Sequence, residues 1–253
     1  MAPSRAQWLA EQPFTLALSA GFFGFFSHTG LLAALEGRGL RPRRVVGVSA
    51  GALAGGLWAS GLPAQQIGDQ LSALRRGDFW DPGLPLGGLL RGRKFSAKLQ
   101  EVLAPSGVER IEQCRTPFAA VVHDVMARRP LAVTSGSIDA AIRASCAVPL
   151  MFQPLRHEGR MVVDGGVSDR VGETAMAGED GRVLLHFLPS RRRFRVRAPG
   201  PIPAGVADRP TQVMVTPDLP KLGPFALQRG PEAIARTREY AETWLDEPAD
   251  APT

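Results

Sequence analysis

The sequence predicts an α/β protein: a three-layer α/β/α sandwich around a central, mostly parallel sheet. Three observations predict it. Short apolar or β-branched runs alternate with helical segments, the order that builds a parallel sheet covered on both faces. At 253 residues, 44% hydrophobic and 21% charged, the chain can bury one substantial core. The pentad Gly47-Val48-Ser49-Ala50-Gly51 sits where a strand-like run meets a helix-like one. That junction is where open α/β sheets gather reactive groups.

Residues 1–13 read as a flexible arm ending at Pro13, residues 14–246 as a single domain and residues 247–253 as a flexible tail. Phe14 to Ser19 is the first expected strand, followed by a glycine- and phenylalanine-rich turn and a helix over about Ser27 to Glu36. Arg43 to Val48 is the second strand and Ala50 to Ser60 the helix that leaves the serine. Pro63 opens a further helix toward Arg76. Residues 77–92 are loop-like, with Phe79, Trp80, Leu84, Leu89 and Leu90 between glycines and prolines; they suit either a lid or core packing. A helix near Phe95–Leu103, strands at Phe118–His123 and Leu131–Thr134, and a Ser137-capped helix closed by Pro149 come next. Met161-Val162-Val163 leads into Asp164-Gly165-Gly166, and the last strands are Val183–Leu188 and Gln212–Val215 before a helix over Pro231–Leu245.

The net charge is +6, and lysine contributes only Lys94, Lys98 and Lys221. A basic surface suits anionic partners, but no helix–turn–helix, RNP-like or finger pattern is present, so nucleic acid is not expected. The run Arg191, Arg192, Arg193, Phe194, Arg195 and Arg197 reads either as a solvated loop or as a peripheral contact with an anionic membrane. No apolar run approaches the roughly 18 residues that span a bilayer, and Met1–Pro13 lacks the apolar core of a signal peptide. The expected location is therefore cytoplasmic, with peripheral membrane association through that run. Cys114 and Cys146 are expected to be buried free thiols. No Cys/His spacing suits zinc, and neither metal nor cofactor is expected. Oligomeric state is not indicated.

Gly-x-Ser-x-Gly between strand and helix can hold a nucleophilic serine on a sharp turn. Gly47 and Gly51 allow the backbones to approach, and the helix start at Ala50 offers N–H groups to developing negative charge. A serine needs a base. None of His28, His123, His157 and His186 follows an acid in Ser–Asp–His order with a strand-end placement, and His186 reads as a buried structural residue in a strand. Asp164, at a strand end before two glycines, is the better partner, although an Asp-Gly turn also occurs without any such role.

These features together resemble the patatin-like phospholipase family over roughly residues 14–170. Leu16-Ala17-Leu18-Ser19-Ala20-Gly21 with His28-Thr29-Gly30-Leu31-Leu32 is similar to the family's first strand and its following His-x-Gly-x-Leu. Gly47–Gly51 matches the serine turn, and Ser145 to Pro154 matches the Ser-x-Ala-x-Pro-x-x-Phe-x-Pro segment. Asp164-Gly165-Gly166 matches the aspartate turn. The resemblance implies a histidine-free dyad of Ser49 and Asp164, an acyl-enzyme on Ser49, and a lipid or other acyl-ester substrate.

One departure stands out. The family's glycine-rich oxyanion turn reads Ala20-Gly21-Phe22-Phe23-Gly24-Phe25 here, with phenylalanine at the third glycine and Gly24 at the arginine. The expected oxyanion donors are Gly21, Phe22 and Ala50, and Phe22 is expected to carry strain if its φ is positive. Phe22, Phe23, Phe25 and Phe26 would line an acyl groove, unless the turn is re-packed and weakly active. Two alternatives stay open: a degenerate lipid-binding or regulatory module, and a triad esterase using His123 or His157.

Overall fold

The computed structural model describes residues 2–84, 87–178, 180–189 and 209–250. The Arg191–Arg197 run lies outside the described residues.

Five strands build a parallel half-sheet: β1 (Phe14–Leu18), β2 (Arg44–Val48), β4 (Phe118–Asp124), β9 (Arg182–His186) and β10 (Thr211–Met214), in the order β10-β9-β1-β2-β4. The remaining pairings in that sheet are antiparallel: β5 (Arg129–Val133) and β8 (Arg160–Asp164) flank β4, and β7 (Leu155–His157) flanks β8. A separate parallel pair joins β3 (Gly88–Leu90) to β6 (Leu150–Phe152).

The long strand β4 creates the site. β5 pairs with residues 120–124 of β4 and so occupies one whole edge. β2 and β8 must then share the other edge, β2 opposite the first half and β8 opposite the second. β2 runs parallel to β4 and β8 antiparallel, so their C-terminal ends meet. Val48 pairs with Val121 and Asp164 with Val122, neighbouring residues of one strand.

Alternation along the strands sorts the core into two faces. Leu16, Leu18, Val45, Phe118, Ala120 and Val122 join one cluster, while Ala17, Val46, Val48, Ala119 and Val121 join the other. The first face carries the bulk of the helical layer: α2 (Phe25–Gly37), α3 (Ala50–Ala59), α4 (Ala64–Ser72), α5 (Arg93–Leu103), α6 (Ile138–Ser145) and α8 (Gly230–Asp246). The second face meets the short α7 (Glu173–Met176), through Ala175 and Met176. Both Asp169 carboxylate oxygens fasten the start of α7, accepting from the N–H groups of residues 171–174.

Several expectations need correction. The expected N-terminal arm contains helix α1 (Arg5–Glu11), closed by reciprocal Ser4 and Gln7 capping bonds. Arg5 is buried, stacks over Trp244 and bridges Glu247 at 2.7 Å and Asp250 at 3.1 Å, which ties down residues 247–250 of the expected tail. Both cysteines are free and half-buried as residues; the Cys146 thiol itself is buried, whereas the Cys114 thiol is only partly so. The 77–92 segment divides: Phe79 and Leu90 pack inward, whereas Leu84 and Leu89 stay exposed. Asp81 within it accepts from the Gly92 and Arg93 N–H groups and so caps α5 from a distance.

Candidate active site

β2 ends at Val48 and α3 begins at Ala50, so Ser49 alone makes the turn. Its backbone lies at φ +54° and ψ −116°, a conformation few non-glycine residues hold. Sterics fix the flanks. A Cβ on Gly47 would lie 2.5 Å from the Ala52 Cα, and one on Gly51 would lie 2.0 Å from the Leu18 carbonyl oxygen. Polar bonds hold the turn itself. The Ser49 N–H donates to Ser145 Oγ at 2.9 Å, Ser145 Oγ donates to the Val121 carbonyl at 2.6 Å, and the Cys146 thiol donates to the Ser49 carbonyl at 3.2 Å. The Ser49 side chain makes no capping bond to α3, which leaves its hydroxyl free to face outward.

That hydroxyl and the Asp164 carboxyl line the same cavity, and the hydroxyl favours the ionised carboxylate there. Asp164 ends β8, and its Oδ1 accepts the Gly166 N–H at 2.8 Å. Its own N–H donates to the Ala147 carbonyl, so residues 145–147 hold both halves of the pair. A Cβ on Gly165 would lie 2.3 Å from the Val121 carbonyl oxygen, and one on Gly166 would lie 2.8 Å from the Ala20 Cβ. Burial pushes the Asp164 carboxyl up to about 6, against the opposing pull of Ser49, the Gly166 N–H and the Arg170 charge. The neighbouring Cys146 thiol is pushed well above its ordinary value by burial and by Asp164, so it stays protonated.

The Phe-rich turn closes through a Gly24 N–H to Gly21 carbonyl bond of 2.8 Å. Positive φ falls on Phe23 (+56°) and not on Phe22, so Phe22 escapes the strain that a positive φ would have brought. The third residue of such a turn is where left-handed backbone is required, and Phe23 occupies it. Its ring is held against Phe22, Phe25 and Phe79 with centroids 4.8, 5.6 and 5.9 Å away. Among the described residues the N–H groups of Gly21 and Phe22 find no acceptor, and the Ala50 N–H is the free first donor of α3.

Ser49, Asp164, Gly21, Phe22, Ala50 and Gly166 all line one open cavity of about 390 Å³. Its walls are mainly apolar, including Phe25, Leu53, Leu57, Phe79, Leu99 and Phe152. Phe26 does not join them; it is fully buried beside Gly230. None of the four histidines lines the cavity. His123 Nδ1 is 2.7 Å from Ser168 Oγ, His157 lies on β7, and His28 and His186 are buried against each other.

Two contributors escaped the sequence reading. Ser145 lay inside the segment that resembles the family but carried no sign of its bond to Ser49. Arg170 lines the cavity as well, and its Nη2 donates to the carbonyls of Ala20 and Leu188 at 3.2 and 3.0 Å. No local pattern around Arg170 would have picked it out.

Fold and site together define an α/β protein of the nucleophile-turn type: a serine on a strained strand-to-helix turn, at the carboxyl edge of a mostly parallel sheet, over an apolar cavity. The family model for patatin-like phospholipases matches residues 16–176, and the chain belongs to that family. An uncharacterized NTE family protein of Mycobacterium bovis is 33% identical over 172 residues, covering 67% of this chain and 47% of that one. A neuropathy target esterase of Drosophila persimilis is 27% identical over 169 residues, covering 64% of this chain and 12% of that one. The chain thus spans about half the length, or less, of these curated relatives. VipD from Legionella pneumophila shares the fold, with a TM-score of 0.55 at 15% identity, covering 92% of this chain and 67% of that one. The family is one of lipid hydrolases. No described helix is long and apolar enough to cross a membrane.

Proposed function

We propose that this chain hydrolyses fatty acyl esters of phospholipids or related lipids through an acyl-enzyme on Ser49, with Asp164 as base. The observation that carries this reading is the strained Ser49 turn facing a buried carboxylate inside an apolar cavity. Asp164 takes the Ser49 proton as Oγ bonds to the ester carbonyl carbon. The tetrahedral oxyanion is received by the N–H groups of Gly21, Phe22 and Ala50, each such donor being worth on the order of 2.7–4 kcal/mol. The ester C–O bond then breaks, and Asp164 returns the proton to the departing alcohol. Water repeats the sequence in reverse roles: Asp164 accepts its proton, the acid leaves, and Ser49 is restored. The apolar walls suit an acyl chain, and no residue of the proposed sequence calls for a metal or diffusible cofactor.

A peripheral meeting with a lipid surface belongs to the same reading. Phe22 and Val167, both exposed, stand at the cavity, and Leu150 is 84% exposed between the cavity residues Pro149 and Met151. Exposed Phe225 lies tilted against Trp80, ring centres 6.4 Å apart, and the Arg76 guanidinium lies 5.0 Å from the Phe225 ring centre. Apolar side chains beside an arginine are the composition that enters the headgroup boundary of a phospholipid layer.

A fluorophosphonate probe tests the proposal. We expect one adduct on Ser49, lost in Ser49→Ala, and loss of short-chain ester hydrolysis in Ser49→Ala and Asp164→Asn. An unlabelled Ser49, or full turnover in Ser49→Ala, would overturn it. Vesicle binding without labelling or turnover would favour the lipid-binding module instead.

A further inference from the structure

We propose that Arg170 is a positioning residue, which clamps the Ala20–Phe22 turn beside Ser49 and sets a positive charge opposite Asp164. The inference rests on the acyl-ester reading above and concerns a residue which that reading does not use.

Three contacts converge on this residue. Its main-chain carbonyl accepts the Ala20 N–H at 2.8 Å, and its guanidinium donates back to the Ala20 carbonyl. Ala20 is therefore gripped on both sides of its peptide, immediately before the unpartnered Gly21 and Phe22 N–H groups. The same Nη2 reaches the Leu188 carbonyl, and the Leu188 N–H donates to Ser19 Oγ at 2.8 Å. Leu188 in turn backs the turn: a Cβ on Gly21 would lie 2.7 Å from its Cδ1, and a Cβ on Gly24 would lie 2.2 Å from it. One guanidinium thus couples the segments that follow β1 and β9. A planar fork with several donors makes such a bridge, and a lysine ammonium reproduces its charge but not its geometry.

The second role is electrostatic. Arg170 lines the same cavity as Asp164, and its charge favours the ionised carboxylate there. Two other charged residues among the described ones line the cavity, Lys98 and Asp78, and Lys98 is paired with Glu101 at 2.8 Å. The groups set against Asp164 besides Arg170 are the Ser49 hydroxyl, the Gly166 N–H and the protonated Cys146 thiol. His123 on β4 is engaged with Ser168, and the Asp169 carboxylate is taken up by the N–H groups that start α7. Arg170 is itself half-buried, and burial lowers its pKa while Asp164 raises it, as mutual partners require.

The experiment compares Arg170→Lys and Arg170→Met on a soluble short-chain ester across pH. Arg170→Met is expected to lower kcat about tenfold or more, with little change in KM, because the donors it positions act on the transition state. Its acid limb is expected to move upward from near pH 6, since removing a nearby cation disfavours the carboxylate. Arg170→Lys is expected to keep the acid limb of the wild type and still lose kcat. A merely structural arginine would lower the melting temperature and leave both the limb and kcat of the folded fraction unchanged, and that result would overturn the proposal. If Arg170→Met does not fold, Arg170→Lys carries the test alone: unchanged kcat in that variant also overturns it. Ser49→Ala and Asp164→Asn separate the two levels. If they remain active, the acyl-ester reading fails; if they are inactive while both Arg170 variants match the wild type, only this inference fails.

Discussion

The main-chain N–H of Ser49 donates to the hydroxyl of Ser145, 2.9 Å away, and that hydroxyl in turn donates to the Val121 carbonyl. Ser145 is fully buried, so this two-bond relay spans from the strained turn to the strand that β2 and β8 share. The turn at φ +54° is thus held by a neighbour 96 residues away as well as by its flanking glycines. Replacing Ser145 with Ala would leave the Ser49 N–H and the Val121 carbonyl without that partner. The expected cost is about 1–3 kcal/mol of stability, together with a lower kcat from a less defined Ser49. Urea denaturation and esterase kinetics on Ser145→Ala check both; unchanged kcat would mean that other contacts hold the turn.

Asp164 is a stability liability with a defined pH sign. Its carboxyl sits at about 6 in the fold against 3.8 in the free side chain, because burial disfavours the charge. Between those values the folded chain binds a proton that the unfolded chain does not, so the stability the group contributes falls as pH rises through the folded value. Above it the full cost, about 3 kcal/mol, is present. Asp164→Asn keeps an oxygen to accept the Gly166 N–H and removes the charge. The variant is expected to be inactive yet more stable than the wild type at about pH 7.5, with the difference shrinking to nothing below about pH 4. Thermal melts across that range decide it.

The contrast between what was legible in the chain and what was not follows from range. Gly47, Ser49 and Gly51 announced the turn because their constraints are local: the glycines touch residues of the same short unit or the adjacent strand. Asp164 was legible for the same reason, at the end of a short strand with glycines on its far side. The capping box of α1 was also written locally, as Ser4 followed by Gln7, and reading Met1–Pro13 as an arm passed over it. Other features have no local signature. The meeting of β2 and β8 on one edge of β4 depends on long-range strand pairings, Val48 with Val121 and Asp164 with Val122. Arg170 and Ser145 act through main-chain groups of distant segments, which no spacing rule records. Left-handed backbone falls on Phe23 rather than Phe22 because the Gly21–Gly24 bond, invisible in sequence, decides which residue occupies that position.

Leu150 combines exposure with a backbone φ of +69°, unusual for a bulky residue. It is held there by pairing of β6 with β3, which sets Gly88 opposite. Phe225, 73% exposed, is its counterpart beside Trp80. If these side chains enter lipid, Leu150→Asp and Phe225→Asp should each weaken binding to phosphatidylglycerol vesicles by about tenfold, the worth of burying one such side chain. Hydrolysis of a soluble short-chain ester should be unchanged. Vesicle sedimentation with the Ser49→Ala background separates binding from turnover, and equal binding by all variants would remove the lipid contact from this face.

The buried pair His28 and His186 has an order of protons that geometry imposes. His28 Nε2 lies 2.9 Å from the Ser19 carbonyl, which can only accept, so that nitrogen carries the proton. His28 Nδ1 is then an acceptor, and His186 Nδ1, 2.9 Å away, must donate to it. His186 Nε2 in turn accepts from the Thr216 hydroxyl at 3.2 Å. Each ring is neutral: burial holds His28 down at about 4 and His186 well below the usual imidazole value. An unfolded histidine titrates near 6.5, so on acidification the unfolded chain binds these two protons first. Stability from the pair is therefore fully present above about pH 6.5 and declines as pH falls toward the folded values, the opposite sign to Asp164. The Asp164→Asn variant isolates this slope. In that background His186→Leu is expected to flatten the acid side and to lower stability at neutral pH by about 1–3 kcal/mol, since His28 Nδ1 and the Thr216 hydroxyl lose their partner. Urea midpoints at about pH 5 and about pH 7.5 measure both effects. An unaltered slope would place the acid sensitivity elsewhere in the fold.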